Sequence, residues 1–426
     1  MSITNSLYIG ISGLQAHGDA ISIVGDNIAN VSTVGYKHDR ASFSDVLGGE
    51  LDSKRVGGGV RLGGSETLWD QGTITQTGNP LDLAVSGGGQ FIVKGNHGGQ
   101  TAQYYTRDGR FQIDNQGFVT NQAGLRLQGF GIDTAGTRAL SIGDLPLGAR
   151  ESPPVATKNA AMTLNLDANA VSPAAFDPIN PNTTSNYATS ETVYDSLGAA
   201  HHVEVYFRAQ GAGAWEFHAM VDGGELAGGT PGTLTEIGNG TLTFNTAGAL
   251  QTQTVAASSA DFLNATPAQT IAFKFGDDIA SGGTGLAGST QFSGASTVNG
   301  LDIDGRSAGK LDSLNISDDG TITGVFDNGD KIKLAQVALA SFANNQGLDR
   351  VGDGLNTETP ASGKVLIDVP GTGSRGSLVA GALEGSNVDL SNELVTLIAF
   401  QRAFEANAKT VTTADEMMTD VNNLKR

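Results

Sequence analysis

Apolar residues recur at seven-residue steps near both ends of the chain: Leu7, Leu14, Ile21 and Ile28 at the start, and Leu390, Leu397, Phe404, Val411 and Met418 at the finish. A seven-residue repeat keeps a stripe on one side of a supercoiled helix, so the spacing predicts a helix in residues 1–30 and another in 389–426, paired as a coiled coil. In the first, Leu7, Ile11, Leu14, Ile21, Val24 and Ile28 lie along one side from about Asn5 to Ala29. Gly10, Gly13, Gly18 and Gly25 are interior to it, each costing up to ~1 kcal/mol relative to Ala, and small residues let a neighbouring backbone come close. Two such helices alone are marginal, so the ends are expected to be disordered in a monomer and helical once neighbouring copies cover them.

No such repeat appears between the ends. Residues 31–70 hold eight glycines and little periodicity, and are expected to be a linker region with local turns or short strands. From 71 to 149 turn signals such as Asn79-Pro80, Asp108-Gly109 and Asp114-Asn115-Gln116-Gly117 separate short apolar runs at Phe91–Val93, Phe111–Ile113 and Phe118–Thr120, the pattern of successive strands. Pro153-Pro154 marks a boundary, and 150–300 reads as a second β-rich block with strands at Val203–Arg208 and Trp215–Val221. β pattern resumes over 301–364, where Thr321–Phe326 and Lys331–Leu339 flank Asn328-Gly329, a dipeptide suited to a type I′ hairpin turn. Residues 365–388 are expected to be a second linker. The fold class is mainly β with terminal α-helices. The order of segments suggests nesting: paired end helices, an inner β domain from 71–149 and 301–364, and an outer β domain, 150–300, inserted in it.

Composition then narrows the function. The net charge of −19 argues against nucleic acid, whose phosphates would repel it. The acidity belongs to the body: residues 1–30 carry Asp19 and Asp26, and 385–426 carry six acids and four bases, leaving about −4 of the −19 at the ends. The chain has no cysteine, which excludes disulfides and thiolate metal sites. No stretch approaches the ~20 apolar residues of a membrane span, so no membrane insertion is expected. The N-terminus lacks a basic and a continuous apolar region, so a cleavable signal is not expected.

Candidate chemistry is weak. Gly371-Thr372-Gly373-Ser374-Arg375-Gly376 fits the dinucleotide-binding pattern, but no helix is expected to open after it. Gly305-Arg306-Ser307-Ala308-Gly309 fits a nucleophile elbow without the following helix that motif needs. His201-His202 on a strand would point to opposite faces, which is wrong for two ligands of one metal. His202 and His218 could meet across strands but read as a solvated pair, and Asp302 and Asp304 begin an EF-hand-like run that has Ser313 where the bidentate Glu is required. No enzyme activity, cofactor or metal is expected.

Residues 27–37, Asn-Ile-Ala-Asn-Val-Ser-Thr-Val-Gly-Tyr-Lys, resemble the N-terminal signature of bacterial flagellar rod and hook proteins. Gly381–Leu390 and Gln401–Lys409 resemble the same family's C-terminal signature, with Phe404 where tyrosine is common. The matching positions are Asn27, Asn30, Thr33, Gly35, Tyr36 and Lys37, then Gln401, Arg402, Ala403 and Asn407. Gly124–Gly129 and Val193–Gly198 are also similar to hook members, and the 150–300 insertion separates these from the shorter rod members. The resemblance implies a structural subunit that polymerises with copies of itself into a tubular universal joint, transmitting torque from motor to filament. It implies partners in the flagellar rod, the hook cap, the hook–filament junction proteins and the type III export apparatus. It also implies an extracellular location, reached by export in the unfolded state without cleavage. Under it, the nine heptad residues carry assembly. A distal rod or hook-associated protein, or a secreted β-rich adhesin or surface protein, are the alternatives.

Overall fold

The first helix, α1, runs from Ile3 to Ala29, and the last, α2, from Leu390 to Asn423. Asp389 caps α2: its carboxylate accepts from the backbone N–H of Ser391 and Asn392, satisfying donors that the first turn leaves free. The computed structural model describes residues 3–51, 54–133, 136–148, 150–256 and 258–424. The chain folds into two compact units, one of Met1–Ala149, Ser313–Val325 and Lys331–Arg426, the other of Arg150–Asp312 and Phe326–Asp330. It is mostly β with a helix at each end.

In the first unit, the region expected to be a linker is a long antiparallel hairpin. Strand β1 spans Asp39–Leu51 and β2 spans Lys54–Thr67, in register from Asp39 opposite Thr67 to Leu51 opposite Lys54. Three register shifts interrupt the pairing, and such bulges erase the two-residue alternation by which strands are recognised. The glycines that suggested looseness serve close approach instead. Gly59 has φ +107° and passes directly over Ser12 of α1, where a methyl group would overlap the Ser12 hydroxyl. That hydroxyl accepts the Val60 N–H at 3.2 Å.

The body of this unit is an antiparallel sheet in the order Lys331–Val337, Arg126–Ile132, Gln90–His97, Gln100–Thr106, Leu355–Thr357, Asp349–Gly352. The second expected linker, 365–388, is also structured. Leu366–Asp368 pairs with Leu339–Ser341, Ser377–Ala380 with Leu83–Ser86, and Ala382–Glu384 with Ile74–Gln76. These strands are three or four residues long, too short for a periodic signal, and two of them depend on partners about 300 residues away. The dinucleotide-like glycines 371–376 form a turn closed by Gly371 N–H to Gly376 C=O at 2.9 Å and lead into a strand, not a helix.

The second unit is built on a five-stranded antiparallel meander: Tyr187–Tyr194, Ala200–Gly211, Ala214–Asp222, Leu234–Phe244 and Leu250–Val255, paired in sequence order. A three-stranded sheet accompanies it, with Asn159–Asn165 between Ala272–Lys274 and Thr297–Ile303. Buried residues alternate with half-buried ones along Asn159–Asn165, the pattern of a sheet with one face on the core. Trp215, Phe207, Phe217, Phe262 and Phe275 are fully buried there, so this unit holds most of the aromatic core. Its boundary lies at Asp312 rather than 300. The Asn328-Gly329 turn is not type I′, because only Gly329 has positive φ (86°). Phe326 C=O accepts from Gly329 N–H and Phe326 N–H donates to Asp330 C=O, a type I turn followed by a left-handed glycine that absorbs one extra residue.

Candidate assembly surface and joint

The two helices lie side by side and antiparallel. A Cβ built on Gly10 would fall 2.7 Å from Val411 Cγ2, and one on Gly13 2.5 Å from Asn407 Oδ1, while one on Gly18 would lie 3.9 Å from Phe404. Asn27 donates to Glu393 at the far end of the pair. The buried stripe of α1 is Gly10, Gly13, Ala16, Ala20, Val24 and Asn27, at steps of three and four residues. Small side chains dominate it, so the backbones come close, which fits the cost of placing glycines inside a helix. His17 of α1 meets Phe43 of β1 and Phe400 of α2 at ring distances of 5.2 and 5.9 Å, tying helices and hairpin together.

The heptad rows flank this seam. Leu7, Leu14, Ile21, Ile28, Leu397 and Val411 are half-buried, and Leu390, Phe404 and Met418 are exposed. Among the described residues of α2, Ala414 alone is fully buried. Along α2, Leu390, Leu394 and Ile398 form a ridge at four-residue steps, 44, 44 and 50% exposed, with Val395 beside them at 67%. Tyr8 and Ile11 of α1 and Leu47 of β1 are exposed as well. Single exposed apolar residues are ordinary on a protein surface, and here several are grouped along one helix. Gln401 and Arg402 are exposed, and Ala403 and Asn407 are half-buried, the Asn407 amide lying over Gly13.

The N-terminal motif has a different location. It builds the joint at which both helices leave the β body. Asn27 is buried; its amide donates to Asp39 C=O at 2.7 Å and accepts the Asp39 N–H at 2.9 Å, locking the end of α1 to the start of β1. Thr33 donates to Asn30, and Asn30 to Asp26. Gly35, at φ +69°, packs against the Arg107 backbone so tightly that a Cβ would sit 2.6 Å from the Arg107 carbonyl carbon. Tyr36 donates to Asp26 at 3.1 Å, and burial, then the Asp26 charge, push its hydroxyl up to about 12. Lys37 Nζ lies 2.6 Å from Glu384 Oε1 and donates to Asp70 C=O at 2.7 Å; burial pulls its ammonium below the usual lysine range, opposed by the Glu384 charge. Arg107 reaches the other Glu384 oxygen at 3.0 Å, and Gly72 N–H donates to Oε1. Asn387 accepts the His38 N–H and donates to Leu68 C=O. A cleft of about 640 Å³ opens beside this joint, lined by Tyr36, Lys37, Trp69, Arg107 and Arg350 among others.

Sequence reasoning missed Glu384, Arg107 and Asn387 as parts of this arrangement. Glu384 is a single acid in the run Leu378–Gly385, otherwise apolar or glycine, a signal that could have marked it as buried and paired.

Family comparisons cover the same ground. The model for the flagella basal body rod protein matches residues 7–37, ending at Lys37, and that for the flagellar basal body rod FlgEFG protein C-terminal matches 379–424. Between them the flagellar hook protein FlgE/F/G D1 domain matches 84–172, and the flagellar basal body protein FlaE D2 domain matches 165–306. The flagellar hook protein FlgE of Salmonella typhimurium is 33% identical over 419 residues, 97% of this chain and 98% of that one. The chain belongs to the flagellar hook protein family. Among other hook proteins, that of Treponema pallidum is 32% identical over 99% of both chains, and that of Brucella suis is 32% identical over the full length of both. The crystal structure of Helicobacter pylori flagellar hook protein FlgE2 is 14% identical, covers 73% of this chain and 100% of that one, and has a TM-score of 0.48.

Proposed function

We propose that this hook-family subunit polymerises through its terminal helices, α1 and α2 pairing as a coiled coil that packs against the same pair in neighbouring copies to form the inner layer of a tube. The observation that carries this reading is the apolar ridge Leu390–Leu394–Ile398 with Val395, left open in the single chain on the same helix whose other side meets α1. The inserted β unit would then form the outer layer, nested in the first. The tube would act as a flexible universal joint carrying torque to the filament. Its neighbours along the flagellum would be the rod, the hook cap and the hook–filament junction proteins. Delivery to the cell exterior would use the type III export apparatus, with the chain unfolded and uncleaved. The nine heptad residues, with Gln401 and Arg402, would divide between the pair's own seam and contacts with other copies.

The test is Ile398→Glu in the full chain. Ile398 is half exposed, so the single chain should fold with unchanged near-ultraviolet signal and melting temperature. A charge buried between copies costs several kcal/mol, so tubes seen by electron microscopy with the parent protein should be absent with the variant. Normal tubes from Ile398→Glu would overturn the reading.

A further inference from the structure

Glu384 sits where four segments of the first unit cross. It ends the strand Ala382–Glu384, five residues before the cap of α2. One carboxylate oxygen takes Lys37, which lies on the segment between α1 and β1, and the other takes Arg107, the residue that follows the sheet strand Gln100–Thr106. The Gly72 N–H supplies a third donor, from the segment after the hairpin. All three side chains are buried, Glu384 completely. Arg107 donates further to Gly87 C=O and Lys37 to Asp70 C=O, so each cation is held by the backbone as well as by the carboxylate.

Buried ion pairs add little net stability compared with an apolar core of the same shape, yet removing one partner leaves an uncompensated charge in a dry site. Such a cluster therefore fixes geometry more than it adds stability. We infer that Glu384 is a positioning residue that pins both terminal helices to the β body, setting the direction in which they leave it. The inference rests on the assembly reading only for its consequence in the polymer; the pin itself is a property of the single chain.

The experiment compares the parent, Glu384→Gln, and the triple variant Glu384→Leu/Lys37→Met/Arg107→Met, all as full chains. Hydrogen exchange is read first. Glu384→Gln should speed exchange at 30–38, 68–73 and 382–389 by tenfold or more, while the meander of the second unit and the sheet strand Gln90–His97 keep parent protection. The triple variant, with no buried charge, should recover parent melting temperature yet keep fast exchange in those three segments. Electron microscopy is read second: both variants should give tubes whose curvature or diameter departs from the parent. Parent-like exchange at the joint in Glu384→Gln overturns the pin. So does a uniform loss of protection through the first unit, which would make Glu384 an ordinary core residue, and so does a triple variant with both stability and joint protection restored. If the parent makes no tubes, the assembly reading fails while the exchange result still decides the pin.

Discussion

At the scale of single residues, burial decides which polar groups matter, and burial is what a linear sequence hides best. The alternation along Ala200–Gly211 sets His201 and His202 on opposite faces, as the sequence predicts, with His201 opposite Val193 and His202 opposite Thr192. What composition could not show is that His201 lies between Asp195, 3.2 Å from Nε2, and Glu225, 2.7 Å from Nδ1, stacked on Phe262. His218 pairs with Glu236 and stacks on Phe176 rather than meeting His202. Glu191 is the sharper case. It is buried on the neighbouring strand, on the same face as Val193, and among the described residues neither carboxylate oxygen has a hydrogen-bond partner; burial alone pushes its carboxyl up to about 7. Below pH ~4.5 the folded and unfolded chains both hold this proton; between there and about 7 only the folded chain does, so stability falls as pH rises. Above 7 the folded state carries a buried charge at a cost on the order of 3 kcal/mol. Glu191→Gln should therefore raise the melting temperature of the full chain at pH 8 and change it little at pH 5. Equal shifts at both pH values in a thermal melt would contradict this account.

At the scale of elements, long periodic segments are legible in the sequence and short or irregular ones are not. Both helices lie where the seven-residue repeats put them, and the apolar runs around Phe91, Phe111 and Trp215 are strands. The two expected linkers are strands for one physical reason: their regularity resides in their partners. β1 and β2 carry bulges and glycines because they lie against α1, and the strands of 365–388 pair with residues 74–86 and 339–341. The joint is legible as a motif through family resemblance, but the work of its residues is not, because Lys37, Arg107 and Glu384 are far apart in sequence. The glycines of β2 separate the two roles of that residue type. Gly59 needs both its positive φ and its bare Cα, whereas a methyl on Gly57 meets nothing within 4 Å among the described residues and its φ is ordinary. Gly59→Ala should cost roughly 1–3 kcal/mol and increase hydrogen exchange in α1 around Ser12, while Gly57→Ala should be neutral or stabilise by up to ~1 kcal/mol. Equal effects of the two substitutions would show that the hairpin does not rest on α1 through Gly59.

At the scale of the whole molecule, the apolar ridge on α2 is exposed alongside apolar residues of the body such as Leu140, Val171 and Ile179. Under the proposed assembly, copies would meet through their helices. The two helices are not equally secure before they meet. α1 buries a continuous stripe from Gly10 to Asn27 between α2 and the hairpin, and it is bonded to β1 through Asn27 and to β2 through Ser12. α2 is 34 residues long with Ala414 as the single fully buried one among those described, and its side chains touch the rest of the unit along one half-buried line. Helical stability in proteins comes mainly from packing of an apolar face, and segments with little buried surface open first. The expectation that both ends are disordered alone is thereby divided between them. In dilute solution protease should cut within α2 well before α1, with residues 404–424 lost first and the α1–hairpin region resistant. On assembly α2 should become protected to the level of α1, because the proposed packing of neighbouring copies would cover Leu390, Leu394, Val395 and Ile398. Mass spectrometry of a limited digest, taken before and after tube formation, measures both steps. Cleavage of α1 at the same rate as α2 would mean that the hairpin contributes nothing to holding the N-terminal helix.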